Sequence, residues 1–433
     1  MNQTTRPTRL GVAGLGTVGG GLLRLIADDA RLGRLGVALS VTGVSARDRH
    51  RERDVSVDAY AWYDDPVALA TAEETDVFVE LMGGADGPAL AATRAALSAG
   101  KPVVTANKAM IATHGAALAR LAERSGAALR YEAAVGGGTP VIRGLRDGLS
   151  ACAPQTIAGI LNGTCNFILS QMAETGRPFA DVLKEAQDLG FAEADPSFDV
   201  GGVDAAHKLA ILATLAFDSE VALGDVATTG IEGVSADDLE EARRLGRGIK
   251  LLGVATLIEG RMALRVCPAL IAATSPLARA QGPENVFIID AEPVGRVGFT
   301  GPGAGADATA AAVAADLVTL ARGATGPVFA TQADRLRALP GDGAGALVNA
   351  YYLRVPLRDE PGALAAIAST LGAHGVSVDQ VAQRPRGEDR QDLVVVTHPC
   401  RADTMARARA ALADSDVPTA APAAFPIADA SYF

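Results

Sequence analysis

RLGVAGLGTVGGGLLRLIA, residues 9–27, decides the fold. Arg9–Ala13 predicts a short apolar strand, Gly14, Gly16 and Gly19 follow in G-x-G-x-x-G spacing, and Val18–Ala27 carries helical apolar spacing. In such a strand–loop–helix the first glycine makes a tight turn and the second lets backbone N–H groups approach a pyrophosphate. The third allows close helix–sheet packing, and the helix N-terminus adds partial positive charge. In a chain with 48 glycines the bare pattern can also be a plain turn. Its place between a strand and a helix favours dinucleotide binding.

Outward from this loop, strands are expected at Val37–Val44, Asp76–Leu81 and Pro102–Thr105, with a helix at Pro88–Ala99. Alternating strands and helices predict an α/β, Rossmann-type doubly wound parallel sheet over residues 1–150. A second, α+β domain is expected over 151–304. Its strands are Gln155–Leu161, Arg261–Pro268 and Asn285–Asp290, and its helices Cys165–Glu174, Phe179–Leu189 and Val203–Phe217. The loop GPGAGAD (301–307) opens a helix, within 305–325, expected to return to the first domain. Residues 325–350, with PGDGAGA, read as a linker, and 350–425 as a compact βαββα module. The final stretch, APAAFPIADASYF (421–433), shows no role.

At roughly 150 residues per domain, 433 residues suggest three domains. A chain 49% hydrophobic and 21% charged is not generally disordered. A net charge of −11 without a concentrated basic face argues against a nucleic-acid partner. The longest apolar run, LAILATLAF (209–217), is far short of a membrane span, and MNQTTRPTRLGVAGLG shows no leader pattern. Cys152, Cys165, Cys267 and Cys400 lack C-x-x-C spacing, which points to free thiols in a reducing cytoplasm. Only five of 39 basic residues are lysine (Lys101, Lys108, Lys184, Lys208 and Lys250), so a lysine here suggests a task arginine cannot perform.

The second strand ends in VTGVSARDRHRER (41–53), with Ser45 and Arg47 where an NAD enzyme carries an acid. Arg47, with Arg49 or Arg51, suits a 2′-phosphate and favours NADP over NAD; the competing reading is a solvated basic loop. KPVVTANKAM (101–110) sets Thr105, Asn107 and Lys108 just past a strand's C-terminal end, where open sheets bind ligands; a plain surface lysine is the alternative. In DLGFAEADPSFDVGGVDAAHK (188–208), Glu193, Asp195, Asp199 and Asp204 crowd a loop that opens a helix, and Lys208 shares a face with Asp204. A lysine tuned by a carboxylate suits acid/base work on an alcohol or carbonyl, and the other acids suit a substrate ammonium. Such a pair, taken alone, is more often surface decoration. His207 has no second ligand at metal spacing and reads as structural. The glycine loop of YEAAVGGGTPV (131–141) reads equally as a monovalent-cation site or a hinge.

Taken together, GLGTVGGG, YEAAVGGGTP, LNGTCNFIL (161–169), GFAEADPSFDVGGVDAAHK and GPGAGADAT resemble the successive signatures of the homoserine dehydrogenase family, in its order. The resemblance implies reversible hydride transfer between L-homoserine and L-aspartate 4-semialdehyde, toward threonine, methionine and isoleucine. It implies Lys208 as proton donor or base with Asp204 as partner, Lys108 touching cofactor and substrate, and Glu193 with Asp199 binding the substrate amino group. Cofactor binding would fall to Gly14, Leu15, Gly16, Thr17, Val18, Gly19, Arg47, Gly83, Thr105, Lys108 and Gly303. Backbone oxygens of Glu132, Val135, Gly137 and Thr139 would hold sodium or potassium as a structural ion. The second domain would serve catalysis and dimerisation, giving a homodimer or homotetramer. LRDEPGALAAIASTLGAHGVSVDQVAQ (357–383) resembles an ACT domain, which implies threonine as effector at a pocket edged by Asp359, Pro361 and Gly362. Two other readings stay open: a Rossmann dehydrogenase of another amino-acid alcohol or aldehyde, and a catalytically silent amino-acid sensor.

Overall fold

The computed structural model describes residues 6–28, 30–386 and 390–428. The first five residues of the N-terminal stretch and the last five of the C-terminal stretch lie outside them. The chain forms two compact units, one of Met1–Pro154, Ala210–Leu223 and Ala291–Ala338, the other of Gln155–Leu209, Gly224–Asp290 and Leu339–Phe433.

The first unit contains β1 (Thr8–Ala13), β2 (Leu39–Ser45), β3 (Ala61–Trp62), β4 (Val77–Glu80), β5 (Val103–Thr105) and β6 (Leu129–Arg130), in the order β3-β2-β1-β4-β5-β6. All pairings are parallel. The winding reverses between β1 and β4, and ligands of such sheets bind beyond the strands' C-terminal ends at that switch point. The helix Thr17–Ala27 buries Leu22, Leu23 and Ile26 against Leu10, Val12, Val44 and Val79. Val313 and Leu317, on the return helix Ala306–Ala321, join the same core. Each such side chain contributes about 1.5–3 kcal/mol when fully buried.

Residues 325–350 are not the free linker that their glycines suggest. Val328, Phe329, Ala333 and Leu347 are buried, and Phe329 meets Tyr131 edge-on at 6.2 Å between ring centres. Apolar anchors spaced between the glycines hold the segment down.

Later strands are β7 (Ala153–Ile160), β8 (Val226–Thr228), β9 (Arg247–Ile258), β10 (Arg261–Ala272), β11 (Glu284–Glu292), β12 (Gly295–Pro302), β13 (Val348–Arg358), β14 (Val378–Pro385), β15 (Arg390–Thr397), β16 (Cys400–Arg401) and β17 (Ala423–Ala428). In the second unit they lie side by side as β11-β7-β9-β10-β17-β13-β15-β14. β9 and β10 form a long antiparallel hairpin from Arg261↔Ile258 to Ala272↔Arg247. The C-terminal stretch corrects an expectation: β17 pairs with β13 antiparallel and with β10 parallel at Ile427 and Ala428. The C-terminal module is therefore βαββαβ, with a short extra strand β16, rather than βαββα. Its core is Leu353, Val355, Ile367, Leu371, Val395 and Leu412.

The helix Ala236–Arg244 starts with a capping box between Ser235 and Asp238. Asp238, fully buried, accepts from Tyr352 Oη at 2.9 Å and from Arg354 Nε at 2.6 Å and Nη2 at 3.0 Å. One turn on, Glu241 receives a two-pronged contact from Arg384 at 2.7 and 3.0 Å. This acidic face binds arginines on β13 and β14. Among the described residues, no helix is long and apolar enough to cross a membrane.

Candidate active site

In the first unit the three loop glycines differ in what surrounds them. Gly14 has φ +99°, and a Cβ there would lie 2.3 Å from the Leu81 carbonyl. A Cβ on Gly19 would lie 2.1 Å from the Gly14 carbonyl oxygen, whereas at Gly16 it would meet nothing within 4 Å. The first and third positions are closed by the protein's own backbone, and the middle one stays open to a ligand. Gly16 caps the helix Thr17–Ala27, whose first turn holds no acid, leaving its N–H groups and dipole for an anion. A cavity of about 550 Å³ begins here, lined by Gly14, Gly16, Gly83, Arg47, Arg51 and Arg53 among others.

Thr105 lies beneath the surface, and its hydroxyl donates to Glu80 Oε2 at 2.6 Å. Glu80 also accepts from the Met82 and Gly83 amides at 2.7 and 3.3 Å, and burial raises its pKa. Asn107 caps the helix Lys108–Ser125 and donates to the Gly84 carbonyl at 2.7 Å. Lys108, half-buried, is that helix's first residue. Glu80 is a residue that the sequence alone does not single out; its one signal is the acid at the next-to-last place of the apolar stretch DVFVEL (76–81).

The glycine loop after β6 is built around two buried acids. Glu132 accepts from the amides of Ile142 and Arg143 at 3.0 and 2.8 Å, and its own amide donates to Asp316 at 2.9 Å. Burial, with Asp316 adding to it, pushes the Glu132 carboxyl up to about 7. Arg143 reaches Asp316 at 3.1 Å. The buried Thr139 hydroxyl has no partner among the described residues. Gly303 packs against Gly137, where a Cβ would come within 2.7 Å of its carbonyl.

In the second unit the pair read as acid/base machinery or surface decoration is buried. Lys208 Nζ donates to Asp204 Oδ2 and to the Leu161 carbonyl, each at 2.7 Å, with the two residues 7% and 1% exposed. Asn162 Nδ2 donates to Asp204 Oδ2 and Asp199 Oδ1, both at 2.8 Å. Asn162 Oδ1 in turn caps the helix Gly163–Thr175 through the Cys165 amide at 2.8 Å. The fold thus joins Lys208, Asp204 and Asp199 through Asn162, a residue the sequence argument missed. Its signal was an asparagine before a glycine at a strand-to-helix junction. Glu193 stays exposed on the loop before Asp199, and its carbonyl accepts from Gln187. His207 packs edge-on against Phe198, 5.3 Å between ring centres. Among the described residues no cluster of histidine, cysteine or acids could hold a metal ion.

Lys250 is the other buried lysine of this unit. It donates to Asn166 Oδ1, Ser170 Oγ and the Ala280 carbonyl at 2.7, 3.0 and 2.7 Å. Burial lowers its pKa from 10.5 to about 8. Between these values the unfolded chain keeps a proton that the folded chain has lost, so stability rises with pH there. Urea midpoints measured from pH 8 to 10.5 are expected to climb more steeply in wild type than in Lys250→Met. Equal slopes would refute this.

Residues 140–318 match the family "Homoserine dehydrogenase", 14–132 its NAD binding domain and 351–414 the ACT domain. The homoserine dehydrogenase of Neisseria gonorrhoeae is 40% identical over 405 residues, 91% of this chain and 92% of that protein. The crystal structure of a homoserine dehydrogenase from Thiobacillus denitrificans superposes with a TM-score of 0.90 at 37% identity, covering 98% of this chain and 99% of the other. A hyperthermophilic archaeal homoserine dehydrogenase in complex with NADPH gives a TM-score of 0.64 at 27% identity, covering 74% and 100%.

Proposed function

The chain belongs to the homoserine dehydrogenase family, and we propose that it interconverts L-homoserine and L-aspartate 4-semialdehyde with NADP, in the branch toward threonine, methionine and isoleucine. The observation that carries the chemistry is the buried Lys208–Asp204 pair linked through Asn162 to Asp199.

The cofactor would supply the redox chemistry when bound: its reduced form, NADPH, would give a hydride to the aldehyde carbon, and its oxidised form, NADP+, would accept one from the alcohol carbon. Lys208 gives a proton to the carbonyl oxygen in reduction and removes it from the hydroxyl in oxidation. Asp204 and the Leu161 carbonyl fix the ammonium's position. Asp199 and Glu193 receive the substrate's ammonium, and Lys108 touches substrate and cofactor. Gly14 to Gly19, Gly83, Thr105 and Gly303 complete the cofactor set. Because the Thr105 hydroxyl is spent on Glu80, its contribution falls to its backbone. The unpartnered Thr139 hydroxyl beside the buried acids supports a structural sodium or potassium ion on the main-chain oxygens of Glu132, Val135, Gly137 and Thr139. The ACT module, through Asp359, Pro361 and Gly362, takes threonine as feedback effector in a cytoplasmic homodimer or homotetramer.

Homoserine-dependent reduction of NADP by the purified protein, followed by absorbance, is the test. A folded protein that binds NADP without turning over homoserine would overturn the reading; activity on another amino alcohol, or tight threonine binding alone, would replace it. Arg47→Asp is expected to shift the NADP/NAD preference toward NAD by about tenfold to a hundredfold, the worth of a lost charge-assisted hydrogen bond. An unchanged ratio would remove Arg47 from 2′-phosphate recognition.

A further inference from the structure

The loop from β2 to β3 carries arginine at 47, 49, 51 and 53. All but Arg49 line the cavity; Arg47 and Arg51 are exposed there, whereas Arg53 is half-buried and turns its Nη groups onto the loop itself. Its Nη1 donates to the carbonyls of Arg51 and Arg49 at 2.7 and 3.1 Å, and its Nη2 donates to the carbonyl of Asp48. The guanidinium carbon stands 5.8 Å from the centre of the Trp62 ring, with that of Arg49 at 5.6 Å. Trp62 is anchored in turn, its Nε1 donating to Asp64 Oδ1 at 2.7 Å.

This arrangement orders a loop crowded with charge. Four arginines share seven residues with Asp48 and Glu52, and a turn with unpaired carbonyls has no fixed shape. A planar fork can gather three carbonyls and lie against an indole face; a lysine ammonium cannot do both. We propose that Arg53, seated against Trp62, is a positioning residue: it sets the Asp48–Arg51 turn so that Arg47 and Arg51 face a cofactor's 2′-phosphate. Specificity for the phosphorylated dinucleotide then depends on a side chain whose hydrogen bonds go to the protein itself. The inference rests on the NADP reading above.

Trp62 is the chain's single tryptophan, so its emission reports on this turn directly. The experiment measures calorimetric affinities of the full-length wild type, Arg53→Lys and Arg53→Met for adenosine 2′,5′-bisphosphate and for 5′-AMP, with Trp62 emission recorded before any nucleotide is added. Wild type is expected to favour the bisphosphate. In Arg53→Met that preference falls about tenfold or more while 5′-AMP affinity holds within about twofold, and ligand-free emission changes. Arg53→Lys, which keeps the charge and packs less disruptively, is expected to lose most of the preference and show the same emission change. Equal loss for both nucleotides would reduce Arg53 to a structural residue. Lost preference with unchanged emission would make it a direct phosphate ligand. Full rescue by lysine would show that charge alone matters. Each of these overturns the proposal. A wild type with no preference for the bisphosphate overturns the NADP reading beneath it, and so fails in a distinguishable place.

Discussion

Lys208→Ala is expected to lower kcat by about 10²–10⁴-fold, the range for loss of a positioned proton donor. The substitution also leaves Asp204 buried without its cation, so stability falls, by about 3–5 kcal/mol for a broken buried pair. The two effects separate in the double variant Lys208→Ala/Asp204→Ala. Removing both charges is expected to recover much of the unfolding midpoint and none of the turnover. Arginine at 208 keeps the charge but holds its proton too tightly to donate it. Single-turnover hydride transfer beside urea unfolding checks all three variants. A folded Lys208→Ala protein turning over within about fivefold of wild type would sink the proposed role, since that is less than the smallest loss expected.

The second large effect is on stability. Asp238→Ala is expected to cost about 3–5 kcal/mol, because Arg354 and the Tyr352 hydroxyl lose their shared buried acceptor together. The capping box at Ser235 goes with it. Burial and the neighbouring carboxylate push the Tyr352 ionisation far up, so its phenol stays a donor throughout the accessible pH range. Arg243→Ala, which removes an exposed pair with Glu240 on the same helix, is expected to leave the urea midpoint unchanged. Matching midpoints for Asp238→Ala and wild type would refute the assignment.

The parts legible in sequence are those whose cause is local. Gly14 and Gly19 must be glycine because neighbouring backbone occupies the space of a Cβ, and that constraint writes itself as a spacing. Asp204 and Lys208 share a helix face, so their pairing was visible four residues apart. That the face is buried was not, since burial comes from Leu161 and Asn162, more than forty residues away. Arg53 read as one more arginine in a basic loop, because nothing local says that its donors turn inward. β17 escaped because small residues and Pro426 imitate a loop. The proline is tolerated opposite Tyr351, where β10 has not yet begun to pair.

Among the described residues β17 follows every other strand, yet it lies between β10 and β13. β8 and β16 cover other parts of these strands, so without residues 423–428 the unpaired edge stretches are Leu270–Ile271 of β10 and Ala350–Arg354 of β13. An unpaired edge is a template for other chains, so β17 shields those stretches from edge-to-edge association. Chains cut short before Ala423 would leave them open, which makes ribosome stalling or proteolytic trimming near the C-terminus a hazard for solubility before it is one for catalysis.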